Sequence, residues 1–284
     1  MKIIDAHIHY SRINSFHECA MYNSLVDYSE QGFLRECSEH EVVKSICMGL
    51  IETVSGGFPD KEAQMPMIAD LAENMPSSMS LCLGINPHTL TSDSLTKTED
   101  MLKNCDSVVG MKIYAGYYHV DVTDSIYDPV YKLAEKYDKT IVIHTGETFS
   151  DRGLLKYSHP LRVDDLAVAH PEMRIVACHM GAPWVFDACE ITAKNPNVFI
   201  DISGILVGNA GFINNQADTP LLIDRYRQAL VFLCNYDKVL YGTDWPLVPM
   251  GAYIDFCKKL IPDEHHEKVF YDNAMRVYKL KIES

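Results

Sequence analysis

Short apolar, β-branched runs recur along this chain, each followed by a loop and, in several cases, by a stretch of helical period. Eight runs read as strands, at residues 3–9, 45–50, 80–86, 108–114, 141–144, 174–179, 198–203 and 239–244. Helical patterns fall between them, for example at 129–137, 163–170, 183–194 and 221–233. Strands that alternate with helices imply parallel pairing through crossover helices. Eight such units predict a (β/α)8 TIM barrel, as a single domain spanning residues 1–284. A doubly wound open sheet is the rival, but the G-x-G-x-x-G turn of a dinucleotide fold is absent.

Side chains alternate between the faces of a strand. In the second run Ser45, Cys47 and Gly49 share one face and Ile46, Met48 and Leu50 the other. In the third, Ser80, Cys82 and Gly84 oppose Leu81, Leu83 and Ile85. Large aliphatics are expected against the helix ring, and small or polar residues in the lumen. The same parity places Asp5, His7, His9, Lys112, Tyr114, His144, His179, Asp201, Ser203 and Asp244 inside, mostly at the C-terminal ends of strands. Barrel active sites form at that end.

Two histidines at i and i+2, His7-x-His9, can reach one cation. Alone, the pair is a weak signal, and two polar residues at a strand end is the favoured reading. Three other apolar runs also terminate in an ionisable group, at His144, His179 and Asp244. Together they make a histidine and carboxylate set suited to a borderline divalent cation such as Zn2+, with room for water. Such a cation acidifies water. Asp244 could then accept its proton, and His179 could donate a hydrogen bond to a substrate carbonyl.

These segments, IDAHIH, IVIHTGE, ACHMGAPW, NVFIDISG and YGTDWP, resemble the successive strand motifs of the amidohydrolase superfamily, in particular its amidohydrolase-related branch of metal-dependent hydrolases and decarboxylases. The resemblance runs from residue 3 to about residue 246. It implies a (β/α)8 fold, with His7, His9, His144 and Asp244 as metal ligands and His179 as the catalytic histidine of strand six. Lys112 has two roles open to it. In binuclear branches a carboxylated lysine ending strand four bridges two metals, and His144 and His179 then serve the second. In the mononuclear arrangement, which is favoured, Lys112 contacts substrate instead.

Composition changes the picture at three points. A content of 47% hydrophobic and 23% charged residues in 284 excludes a disordered chain. A formal charge of −14, from 25 basic and 39 acidic residues, argues against nucleic acid and anionic membranes as partners. The 9 cysteines lack C-x-x-C spacing and read as small buried hydrophobes of a reducing compartment. No apolar segment approaches a membrane span, and MKIIDAHIHY is unlike a signal peptide, so a cytoplasmic location is expected.

Around the expected site, Tyr114, Arg152 and Trp184 are candidate substrate contacts. Arg152, Lys156, His159 and Arg162 form a local basic stretch that could hold a substrate carboxylate, though a solvated loop is the favoured reading. The expected activity is hydrolysis of a carbonyl-centred bond, amide or lactone, in a small molecule that could carry a carboxylate. A metal-dependent, non-oxidative decarboxylase of a small aromatic or unsaturated acid is the alternative. A non-catalytic ligand-binding barrel is the third reading, against which the complete ligand set speaks. Homo-oligomerisation is left open.

Overall fold

The computed structural model describes residues 1–281. Its strands are β1 (Ile3–Ile8), β2 (Val42–Met48), β3 (Met79–Ile85), β4 (Val108–Ile113), β5 (Thr140–Ile143), β6 (Ile175–Ala177), β7 (Val198–Asp201) and β8 (Val239–Leu240). They pair in chain order, every pair parallel. The seam from β8 back to β1 closes through backbone bonds: Ala6 N donates to Tyr241 O (2.9 Å), Asp244 N to His7 O (2.8 Å) and His9 N to Trp245 O (2.7 Å). This is a (β/α)8 TIM barrel.

Two packed layers follow from strand alternation. Ile4, Ala6, Ile46, Met48, Cys82, Val109, Val142, Val176, Cys178, Phe199 and Leu240 cluster with Ala274, Val277, Tyr278 and Leu280. Every strand contributes to this group, but no crossover helix does, so it fills the lumen, and the C-terminal segment plugs its base. The opposite faces, with Leu81, Leu83, Met111, Ile113, Ile141, Ile175, Ile200 and Tyr241, pack against the helices.

Parity holds for β3, β5 and β7, holds in β4 only beyond the register shift that puts Val109 in the lumen layer and Val108 beneath the helices, and is inverted in β2. There Ile46 and Met48 point inward, while Cys47 joins the layer beneath the helices. A barrel interior is a packed core near its base, and large aliphatics fill it. Asp5 also departs from the expected lumen face. Ile4 and Ala6 point inward, and the pairing of β1 with β2 slips between Asp5 and Ile8. That bulge re-aims the strand so that Asp5 meets Thr243 at the seam and His7 meets the lumen.

The crossover after β2 carries no α-helix among the described residues. Gly56, Gly57, Pro59, Pro66 and Pro76 interrupt any helical run between 49 and 78. Polar anchors hold the segment instead. Asp60 accepts bonds from the backbone and hydroxyl of Thr53 and from the amides of Glu62 and Ala63. Asn86 donates to the carbonyls of Asp60, Lys61 and Ala63. Of the cysteines, all nine are free and seven are buried. No helix among the described residues is long and apolar enough to cross a membrane.

Candidate metal and catalytic centre

The C-terminal strand ends surround a cavity of about 670 Å3. At its floor His7, His9 and Asp244 converge, with one ligand atom from each lying within 4.8 Å of the others. Asp244 Oδ1 is 3.4 Å from His7 Nε2 and 3.1 Å from His9 Nε2. His7 is fully buried and His9 and Asp244 nearly so.

Strand geometry alone does not aim these groups. Asp244 adopts φ 67 and His179 adopts φ 60, both left-handed and rare for residues with a Cβ. In β6, Val176 and Cys178 are the inward positions, so simple alternation would turn His179 toward the helices. The left-handed turn over His179 and Met180 brings its ring into the lumen mouth instead. The result expected from parity is obtained by a different route. Gly204, at φ 59, makes room for the His179 ring and the Asp244 carboxylate. A Cβ there would lie 2.8 Å from Asp244 Oδ2 and 2.8 Å from His179 Nδ1.

Partners assign the imidazole protons. His179 Nδ1 faces the Ser203 carbonyl at 3.1 Å, and a carbonyl only accepts, so Nδ1 carries the hydrogen. His144 Nε2 faces the Glu147 carbonyl at 2.9 Å and is likewise the protonated nitrogen. In the neutral rings, His144 Nδ1 and His179 Nε2 are then both bare, and they lie 3.1 Å apart. Two lone pairs at that distance require a cation or a proton between or beside them. His7 Nε2 and Asp244 Oδ1 are buried without any hydrogen-bond partner. Buried polar atoms are ordinarily satisfied. Orphaned donor atoms of imidazole and carboxylate, converging in one place, fit a divalent cation.

The electrostatics agree. Burial depresses His179 to about 4 and holds His144 well below its ordinary value, with His179 and Lys112 adding to the effect on His144. Burial also lowers His7 and His9. Neutral imidazole is the ligating form. Burial would raise the Asp244 carboxyl, but His179, His9 and His7 hold it below the carboxylate range. Asp5 differs: burial lifts it to about 7 against the bonds it accepts from Thr243. With Nδ1 committed to Ser203, neutral His179 offers Nε2 as an acceptor. The donor role expected from the sequence therefore needs a protonated ring.

Lys112 is buried in the cavity lining, where Nζ donates to Cys178 Sγ at 2.9 Å. Tyr114 lines the same wall and donates to Gly49 O at 2.7 Å. Phe16 stacks on His9 with ring centroids 4.5 Å apart, and Tyr117 meets the edge of His144 at 4.8 Å. Arg152 reaches the rim, but its guanidinium is engaged by the carbonyls of Gly56 and Phe58. The remaining basic stretch does not converge on the cavity. Arg162 pairs with Asp121, His159 lies 3.6 Å from Asp187, and Lys156 sits over Tyr157. Trp184 packs on His159 outside the lining.

Sequence reasoning placed Asp201 and Ser203 in the lumen but gave them no role. In the structure Asp201 bonds the His7 ring and the His179 backbone. The signal was available in the polar IDIS ending of an apolar strand.

The sequence model of the family described as amidohydrolase (Amidohydro_2) matches residues 102–280. That is more than half of the chain. The chain belongs to this amidohydrolase family. The amidohydrolase match excludes β1, where His7 and His9 lie. Solved structures resemble the whole chain. An uncharacterised TIM-barrel protein from Bordetella bronchiseptica superposes with TM-score 0.68 at 19% identity, covering 98% of this chain and 99% of that one. A probable 2-pyrone-4,6-dicarboxylic acid hydrolase from Acinetobacter baumannii, with citric acid bound, gives 0.64 at 17%, covering 99% and 100%. A dihydroxybenzoic acid decarboxylase from Polaromonas sp. JS666, with manganese and 2-nitroresorcinol bound, gives 0.65 at 15%, covering 98% and 97%. No curated protein matches the chain.

Proposed function

We propose that this amidohydrolase is a metal-dependent hydrolase that cleaves an amide or lactone bond in a small molecule. The observation that carries the reading is the orphaned pair His7 Nε2 and Asp244 Oδ1, set beside the bare nitrogens of His144 and His179. His7, His9, His144 and Asp244 would hold the cation, with Zn2+ the first candidate. The cation would supply Lewis-acid polarisation of a carbonyl oxygen and acidify water. Asp244, held deprotonated, accepts the proton of the attacking water on the carboxylate oxygen not turned to the cation and returns it to the leaving group. His179 Nε2 orients the water or takes part in ligation. Phe16, Tyr114 and Tyr117 wall the substrate and exclude bulk solvent.

The charge pattern supports hydrolysis of a substrate without strong anionic character. Glu18, Glu52, Glu147 and Asp151 line the cavity, and Arg152 is already engaged. One observation favours the decarboxylase reading. Lys112 is a buried lysine in the lining whose Nζ donates to a thiol, and it could anchor a substrate carboxylate. That reading gains further support from the aromatic walls and from the decarboxylase likeness.

Product analysis separates the two. Protein purified without chelators is assayed for its metals, then screened against amides, lactones and aromatic or unsaturated acids with CO2 detection. Metal-dependent release of an acid without CO2 supports hydrolysis. Metal-dependent CO2 release overturns it in favour of decarboxylation.

A further inference from the structure

The Asp201 carboxylate divides its two oxygens between very different neighbours. Oδ1 accepts three hydrogen bonds, from His179 N at 2.8 Å, Ser203 N at 3.1 Å and Ser203 Oγ at 2.5 Å. Oδ2 faces His7 Nδ1 at 2.9 Å. Both residues of that last contact are fully buried, so water cannot substitute for either partner. The hydroxyl of Ser203, having donated to Asp201, also lies 3.2 Å from His7 Nδ1 and 3.0 Å from His179 Nδ1, where it accepts.

We propose that Asp201 is a positioning residue that fixes the tautomer of His7. By accepting Nδ1–H at Oδ2 it keeps Nε2 bare and aimed at Asp244, while Oδ1 anchors the left-handed turn that brings in His179. The inference rests on the metal reading only for its consequence, not for the tautomer itself. A histidine that ligates through one nitrogen is held by an acceptor at the other, and loss of such a partner typically costs 10–100-fold in metal affinity.

An asparagine at 201 makes the proposal sharp. The three donors around Oδ1 can be satisfied only by an oxygen, so the amide NH2 must face His7 Nδ1. That nitrogen then has to accept, and the ring hydrogen moves to Nε2, where it blocks ligation. Alanine imposes no such constraint, because Ser203 Oγ, released from Asp201, can accept from Nδ1–H. A merely structural role predicts the opposite order, with the isosteric Asp201→Asn milder than Asp201→Ala.

The test uses the full chain with 15N-labelled histidine, stripped of metal by chelator. Nitrogen NMR, with the His7 signal assigned from its absence in His7→Gln, should show hydrogen on Nδ1 and a bare Nε2 in the wild type. Asp201→Asn should move the hydrogen to Nε2. Zn2+ and Mn2+ titrations should show it losing at least about 10–100-fold in affinity, and more than Asp201→Ala. Hydrogen on Nε2 in the metal-free wild type overturns the proposal, whether or not the variants fold. So does a folded Asp201→Asn that binds metal as well as the wild type. If the wild type shows Nδ1–H but binds neither metal, the tautomer assignment stands and the metal reading falls.

Discussion

At Asp244 the chain holds a carboxylate on a left-handed backbone, with φ 67. Such a conformation costs on the order of 1–3 kcal/mol and persists where its surroundings enforce it. The return is a carboxylate whose Oδ1 lies free of hydrogen bonds between His7 and His9. Asp244→Asn keeps the shape but removes the proton acceptor and the anionic ligand. Turnover should fall by about 10²–10⁴-fold, and metal content should drop, with a circular dichroism spectrum like that of the wild type. Full activity in this variant would remove Asp244 from the chemistry. Gly204 tests the same region from the other side. Gly204→Ala adds a Cβ within 2.8 Å of both Asp244 Oδ2 and His179 Nδ1, at a φ of 59. The left-handed term alone costs roughly 1–2 kcal/mol. The variant should melt lower and bind metal more weakly, and an unchanged melting curve with unchanged affinity would contradict this close packing around Gly204.

Among the elements, the backbone bonds that close the seam between β1 and β8 are reinforced by the Asp5 side chain. Asp5 accepts from Thr243 N at 2.9 Å, Thr243 Oγ1 at 2.6 Å and His7 N at 3.2 Å. Asp5→Ala leaves those buried donors unpaired, each costing about 1–3 kcal/mol. Chemical denaturation should show a loss of several kcal/mol, of which Asp5→Asn restores a part. The irregular crossover at 49–78 behaves differently. It reaches the cavity through Leu50, Glu52, Gly56 and Phe58, and it is fastened by Asp60 rather than by helix packing. Asp60→Ala should therefore loosen the rim, raising KM several-fold at nearly constant global stability. A cooperative loss of the whole fold would show that the segment belongs to the core.

For the molecule as a whole, converging unpaired donors make the metal-free barrel less stable than the loaded one. A ligand bound only by the native state stabilises it by about 2.7 kcal/mol at a hundred times its Kd. Chelation should lower the melting temperature, Zn2+ or Mn2+ should restore it, and His9→Ala should respond less to either. Metal counting then distinguishes one ion from two. In a mononuclear site His179→Asn keeps its metal and loses turnover. In a binuclear site it sheds about one of two ions, and Lys112→Ala sheds metal as well.

Much of this was legible along the chain. Hydrophobic period and spacing give eight strands, because each apolar run is short, β-branched and bounded by a loop. The ionisable residues that end those runs, His7, His9, His144, His179 and Asp244, are the ones gathered at the C-terminal mouth. The single polar residue closing a buried strand is visible without coordinates, since burial leaves it few other reasons to be there. Three things were settled only by the tertiary structure. The bulge in β1 and the left-handed turn at His179 break strict alternation, so parity could not give the true direction of Asp5 or the route taken by His179. The lumen base admits large side chains, which inverts β2. Arg152 is consumed by the crossover carbonyls and Trp184 by His159, while Asp201 gains two histidines. Residue types fix which chemistry is available, but partners many residues apart decide which nitrogen carries the proton and which cation is free.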